Sequence, residues 1–102
     1  RGIRTFETAT RFTLDIAAVP VIHKQSLYPV CIDVSHPAGQ RDLVPSLAKA
    51  AIAAGADSLM IEVHPNPPVA LSDGPQQLTP AQFRELIAEL RELAACLGKK
   101  IV

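Results

Sequence analysis

The sequence predicts an α/β fold with parallel strands, and three observations carry that prediction. Two short, nearly continuous apolar runs, Leu27–Val34 and Ser58–Val63, are bounded by Pro, Asp or His, the pattern of strands buried on both faces. Helical stripes lie between and after them, so helix and strand alternate in the order that builds a parallel sheet through right-handed crossovers. The chain has 102 residues, 48% hydrophobic and only 4% aromatic, which allows one domain at most and leaves Ala, Leu, Ile and Val to fill its core.

Taken in order, a short helical pattern covers Thr13–Val19 and is expected to stop at Pro20. Leu27-Tyr28-Pro29-Val30-Cys31-Ile32-Asp33-Val34 reads as the first strand. Leu43, Val44, Leu47, Ala48, Ala51 and Ile52 then recur at helical spacing behind Asp42, with Gly55 as the stop. Ser58-Leu59-Met60-Ile61-Glu62-Val63 reads as the second strand, and His64-Pro65-Asn66-Pro67-Pro68 as a rigid loop. Thr79-Pro80-Ala81-Gln82 joins an N-cap, a proline in the first turn and a capping-box glutamine. Phe83, Leu86, Ile87, Leu90, Leu93, Ala94 and Leu97 form the last stripe, which ends at Gly98 with Lys99 and Lys100 near the negative end of the helix dipole. Two parallel strands expose both sheet edges, so the sheet is expected to continue in residues outside this segment or in another chain.

Ten Lys plus Arg balance ten Asp plus Glu, which removes any electrostatic reason to expect nucleic acid or an anionic membrane as partner. No apolar run approaches the roughly 20 residues of a membrane span, and Arg1-Gly2-Ile3-Arg4 is unlike a signal peptide, so a cytoplasmic location is expected. Cys31 and Cys96 lack metal or disulfide spacing and are expected as reduced, buried thiols. The start without Met, in the middle of a motif, reads as a partial or processed product.

Ligand sites of parallel α/β folds lie at the carboxyl ends of the strands, so the polar residues there come first. The first strand ends in Asp33-Val34-Ser35-His36; the second carries Glu62 and His64 and leads to Leu71-Ser72-Asp73-Gly74-Pro75. One imidazole and two carboxylates from such positions suit a divalent cation of borderline hardness. Plainer roles exist for each: a salt bridge to a buried Arg for Asp33 and Glu62, a helix cap for His36, an ordinary turn for Asp73, a loop for His64 and a solvated face for His23. Arg1, Arg4 and Arg11 fit an anion such as phosphate, which a guanidinium binds bidentately, and Gly2 permits close backbone approach to a ligand.

Four segments resemble one family in order and spacing: Arg1-Gly2-Ile3-Arg4-Thr5-Phe6-Glu7, Asp33-Val34-Ser35-His36, Ile61-Glu62-Val63-His64-Pro65 and Ala70-Leu71-Ser72-Asp73-Gly74-Pro75-Gln76-Gln77. Together they resemble 3-deoxy-D-arabino-heptulosonate 7-phosphate (DAHP) synthase, type I beta branch, over essentially the whole chain. The resemblance implies that residues 1–102 are the carboxyl-terminal part of a single (β/α)8 TIM barrel, with its seventh and eighth strands and their flanking helices. It implies a metal-dependent, aldol-type transferase that condenses phosphoenolpyruvate with erythrose 4-phosphate, the first step of the shikimate route to chorismate and aromatic amino acids.

By the same resemblance His36, Glu62 and Asp73 are metal ligands, Arg1 holds the phosphate of phosphoenolpyruvate, and Asp33 is a catalytic aspartate. The fourth ligand, a cysteine, and the active-site lysine belong upstream, and neither Cys31 nor Cys96 matches the ligand motif. The cofactor is a divalent ion, with Mn, Fe, Co and Zn undistinguished. Implied partners are the two substrates, the remainder of the barrel and further copies of the enzyme in a dimer or tetramer. The chain departs from the family at Pro37-Ala38-Gly39, where a glycine-rich turn is usual, and at Phe12, where asparagine is common. The nearest competitor is 3-deoxy-D-manno-octulosonate 8-phosphate synthase, opposed by Gly-Ile-Arg-Thr-Phe-Glu and by Ser35. A non-catalytic barrel fragment is the reading from a different class, and the segment alone is expected to be inactive because ligand cysteine and lysine are missing.

Overall fold

A computed structural model describes all 102 residues. The arginine-bearing first segment is a loop folded on itself, tied by Ile3 and Thr13, whose backbone amides donate to each other's carbonyls at 2.8 and 2.9 Å. Helix α1 occupies Ala18–Gln25, which corrects the expected helix over Thr13–Val19. Pro20 lies in the first turn, where a backbone N–H has no intrahelical acceptor, so the proline starts this helix and does not end it.

Strands β1 (Cys31–Asp33) and β2 (Ser58–Met60) pair in parallel, with Cys31 opposite Ser58, Ile32 opposite Leu59 and Asp33 opposite Met60. Both are shorter than the apolar runs predict. After β1, the Asp33 carboxylate accepts the next amides and turns the chain into the short helix α2, Ser35–Ala38. Beyond β2 the ladder partner changes: Leu78 donates to Glu62 at 3.0 Å and His64 to Leu78 at 2.9 Å. The crossover from β1 to β2 runs through α3, Val44–Ala53. Asp42 does not cap α3, whose N-cap is Leu43 without a side-chain bond; Pro45 in the first turn presets the backbone instead.

Helix α4, Pro80–Cys96, begins with the expected capping box, in which the Thr79 hydroxyl accepts from Gln82 N–H at 3.2 Å and the Gln82 amide accepts from Thr79 N–H at 2.9 Å. Gly55 and Gly98 follow α3 and α4 with φ of 104° and 70°, the left-handed turn that ends a helix.

Alternation along each strand separates two faces. Ile32 and Leu59 meet Ala48, Ala51 and Ile52 of α3 and Leu86 and Leu90 of α4 in one apolar cluster. On the opposite face Cys31 and Ser58 are exposed and Met60 is 51% exposed, so the expectation of burial on both faces fails there. Cys31 and Cys96 are free and exposed, against the expectation of buried thiols. Cys31 stands on the uncovered sheet face, and Cys96 is the last residue of α4.

Candidate metal and anion site

The carboxyl end of β1 supplies the centre of the site. Asp33 is buried, and its Oδ1 accepts the amides of Ser35 and His36, each at 3.1 Å. Its Oδ2 lies 2.7 Å from His36 Nδ1. A carboxylate only accepts, so the bond places a proton on Nδ1, and in the neutral ring the lone pair is then on Nε2. Nε2 faces Asp73 Oδ2 at 3.4 Å and Glu62 Oε1 at 3.8 Å.

The carboxylates arrive from two other places. Glu62 follows β2, and its amide donates to Ser35 Oγ at 2.9 Å, which fixes its backbone against the start of α2. Asp73 sits in a turn with φ 54° and ψ 24°, a left-handed conformation that Asp tolerates better than most residues. That turn packs tightly: a Cβ on Gly74 would lie 2.5 Å from the Pro67 carbonyl oxygen. The Arg11 hydrogen bond, opposed by desolvation, holds the Asp73 carboxyl below its ordinary value of 3.8.

Donor atoms of His36, Glu62 and Asp73 lie within 4.8 Å of one another. With Nδ1–H spent on Asp33, three lone-pair atoms converge, an arrangement that one divalent cation satisfies. The donor set, one imidazole nitrogen and two carboxylate oxygens, fits the implied metal.

Arg1 places Nε 3.4 Å from Asp33 Oδ2 and leaves its side chain 66% exposed beside the cluster. The three early arginines therefore do not form one anion site. Arg4 stacks on Phe12, with Cζ 5.1 Å from the ring centre, and Arg11 turns to Asp73 and Gln76. Asp33 meets an exposed arginine, and Glu62 takes its hydrogen bond from Gln76, so neither carboxylate forms a salt bridge to a buried Arg. His64 is a loop residue whose Nδ1 accepts from Asn66 N–H at 3.0 Å. His23 is exposed and pairs with Asp57 at 2.7 Å, away from the cluster.

The residues that sequence reading did not assign are Ser35, Gln76 and, in its actual role, Arg11. Gln76 stands in the Ala70–Gln77 segment of the resemblance without a role assigned to it, and Arg11, expected to meet an anion such as phosphate, here meets the Asp73 carboxylate and the Gln76 amide.

The profile of the DAHP synthetase I family matches residues 1–97. Over 101 residues the chain is 56% identical to the phospho-2-dehydro-3-deoxyheptonate aldolase of Thermotoga maritima, covering 99% of this chain and 30% of the relative. It is 41% identical over 88 residues to the 2-dehydro-3-deoxyphosphooctonate aldolase of Desulfosudis oleivorans, covering 76% of this chain and 32% of the relative. The crystal structure of the Thermotoga maritima phospho-2-dehydro-3-deoxyheptonate aldolase (DAHP synthase) superposes with a TM-score of 0.98 at 56% identity, covering 100% of this chain and 30% of that one. A truncated form of 3-deoxy-D-arabino-heptulosonate 7-phosphate synthase from the same organism gives 0.96 at 55% identity, covering 99% of this chain and 38% of that one. The chain thus spans about a third of the length of the curated relatives it matches. With that profile matching nearly the whole chain, the protein belongs to the DAHP synthetase I family.

Proposed function

We propose that this chain is the carboxyl-terminal part of a (β/α)8 barrel whose whole condenses phosphoenolpyruvate and erythrose 4-phosphate, with consumption of one water, to 3-deoxy-D-arabino-heptulosonate 7-phosphate and phosphate, in the cytoplasm and as a homo-oligomer. The observation that carries this reading is the convergence of His36 Nε2, Glu62 and Asp73 at the strand ends, with the imidazole tautomer set by Asp33. His36, Glu62 and Asp73 would hold the divalent ion, which supplies Lewis acidity toward the aldehyde oxygen.

This chain's own residues prepare the site. Arg1, half free beside Asp33, offers its guanidinium to the phosphoryl group of phosphoenolpyruvate, where bidentate geometry orients the enol carbon. Asp33, expected as a catalytic group, has both oxygens committed, so its work is to hold the His36 ring and the Arg1 side chain in place. The two-carboxylate, one-imidazole set discriminates poorly among Mn, Fe, Co and Zn.

The test is metal content and activity of the full-length enzyme with His36→Ala. Metal stoichiometry should fall sharply, together with product formation, and unchanged stoichiometry would remove His36 from the ligand set. Octulosonate-type relatives share much of the sequence at lower identity. Parallel assays with erythrose 4-phosphate and a five-carbon aldose phosphate should therefore show turnover with the former.

A further inference from the structure

Glu62 and Asp73 each present one oxygen to His36, and each has its other oxygen occupied. Glu62 Oε2 accepts from Gln76 Nε2 at 2.5 Å, and Asp73 Oδ1 accepts from Arg11 Nη1 at 2.7 Å. The two bonds are joined, because the same Arg11 Nη1, which carries two hydrogens, also donates to Gln76 Oε1 at 2.8 Å. Glu62, Gln76, Arg11 and Asp73 therefore form one chain of hydrogen bonds along the outer side of the cluster.

Every link in it has only one sense. Turning the Gln76 amide would set its NH2 against the guanidinium and its carbonyl against the Glu62 carboxylate. Gln76 is 2% exposed, with no room to swing away. Arg11 is anchored as well. Phe12 N–H donates to the Pro37 carbonyl at 3.1 Å, the guanidinium lies 5.4 Å from the Phe12 ring centre, and a Cβ on Gly39 would come within 2.6 Å of Arg11 Cβ.

We propose that Arg11 and Gln76 are positioning residues. They hold the two carboxylates with Glu62 Oε1 and Asp73 Oδ2 turned inward and offset the repulsion between them, so the cation site is assembled before the ion arrives. The proposal rests on the metal reading above and extends it to two residues that touch no ion. Outer-sphere partners of this kind typically change affinity by about 10- to 100-fold.

The experiment is titration of the metal-free full-length enzyme with Co2+, followed by its visible absorption, for the parent, Gln76→Met, Arg11→Met, Arg11→Lys and the double Met variant. Gln76→Met is the cleanest, since it keeps volume and charge while losing donor and acceptor. Expected are a dissociation constant raised about 10- to 100-fold in Gln76→Met and Arg11→Met and partial recovery in Arg11→Lys, whose ammonium can still reach one carboxylate. The double variant should lose no more than the worse single one, because the two residues act as a unit. Gln76→Met binding Co2+ as tightly as the parent and with the same spectrum would overturn the proposal. So would a lowered thermal midpoint of the metal-free variant with unaltered Co2+ affinity, which marks a purely structural role. Failure of the parent itself to bind Co2+ would overturn the metal reading, and this inference with it.

Discussion

At the scale of single residues, the Asp33–His36 pair decides what the cluster can bind. Asp33→Asn is nearly isosteric, yet it changes the site's polarity. The asparagine carbonyl keeps the amides of Ser35 and His36, so its NH2 must face His36 Nδ1, and the ring proton moves to Nε2. A hydrogen would then point into the space between Glu62 and Asp73. The expected result is loss of metal binding with the fold retained, checked by metal analysis and by the nitrogen shifts of His36 in NMR. His36 and Glu62 were legible in the sequence because each lies just past a strand end, whereas Asp73, in a turn of the loop well beyond β2, was legible chiefly through the family resemblance of its segment. Arg11 and Gln76 were not, since they stand 65 positions apart and their meaning lies in a shared hydrogen bond. Local pattern cannot separate an arginine that binds a substrate anion from one that holds a ligand carboxylate.

At the scale of elements, α4 shows a local code that works without tertiary help. Both halves of its capping box form, and Thr79→Ala should lower stability by about 1 kcal/mol, measured by denaturant unfolding with an unchanged slope. The start of α1 was misread for a physical reason: a proline signals a helix end when it follows helical residues and a helix start when it falls in the first turn. Asp57 links the neighbouring elements, since its Oδ2 accepts from Val30 N–H ahead of β1 and pairs with His23 on α1, both at 2.7 Å. These bonds, that of Val30 first, hold its carboxyl below the ordinary value of 3.8. A lowered folded-state value means stability that is present above 3.8 and is lost as pH falls through the lowered value. Asp57→Asn should therefore be less stable than the parent at neutral pH, and the gap should close as acid approaches and passes below that value. A gap constant from neutral to strongly acidic solution would show that the charge of Asp57 contributes nothing.

At the scale of the whole molecule, the sheet has one finished face and one unfinished face. Apolar runs located both strands, though at greater length than they have, and implied cover on both sides, but cover on the second side has no source within these residues. Cys31 and Met60 record its absence on the same face as Asp33. Cover supplied by the rest of a barrel, as the proposed function requires, turns Cys31 into an internal probe, with Cys96 at the end of α4 as its control. In the full-length enzyme a thiol reagent should modify Cys96 and leave Cys31 unreacted until unfolding, with the sites read by peptide mass mapping. In the isolated 102-residue segment both should react, and no condensation product should form, because a site assembled from several strand ends is incomplete when most of the strands are missing. Equal labelling of the two cysteines in the native full-length enzyme would mean that the inner face of β1 stays open there. The strand-end cluster would then lie on an uncovered surface, where water competes for the same cation and substrate phosphate that the site is proposed to hold.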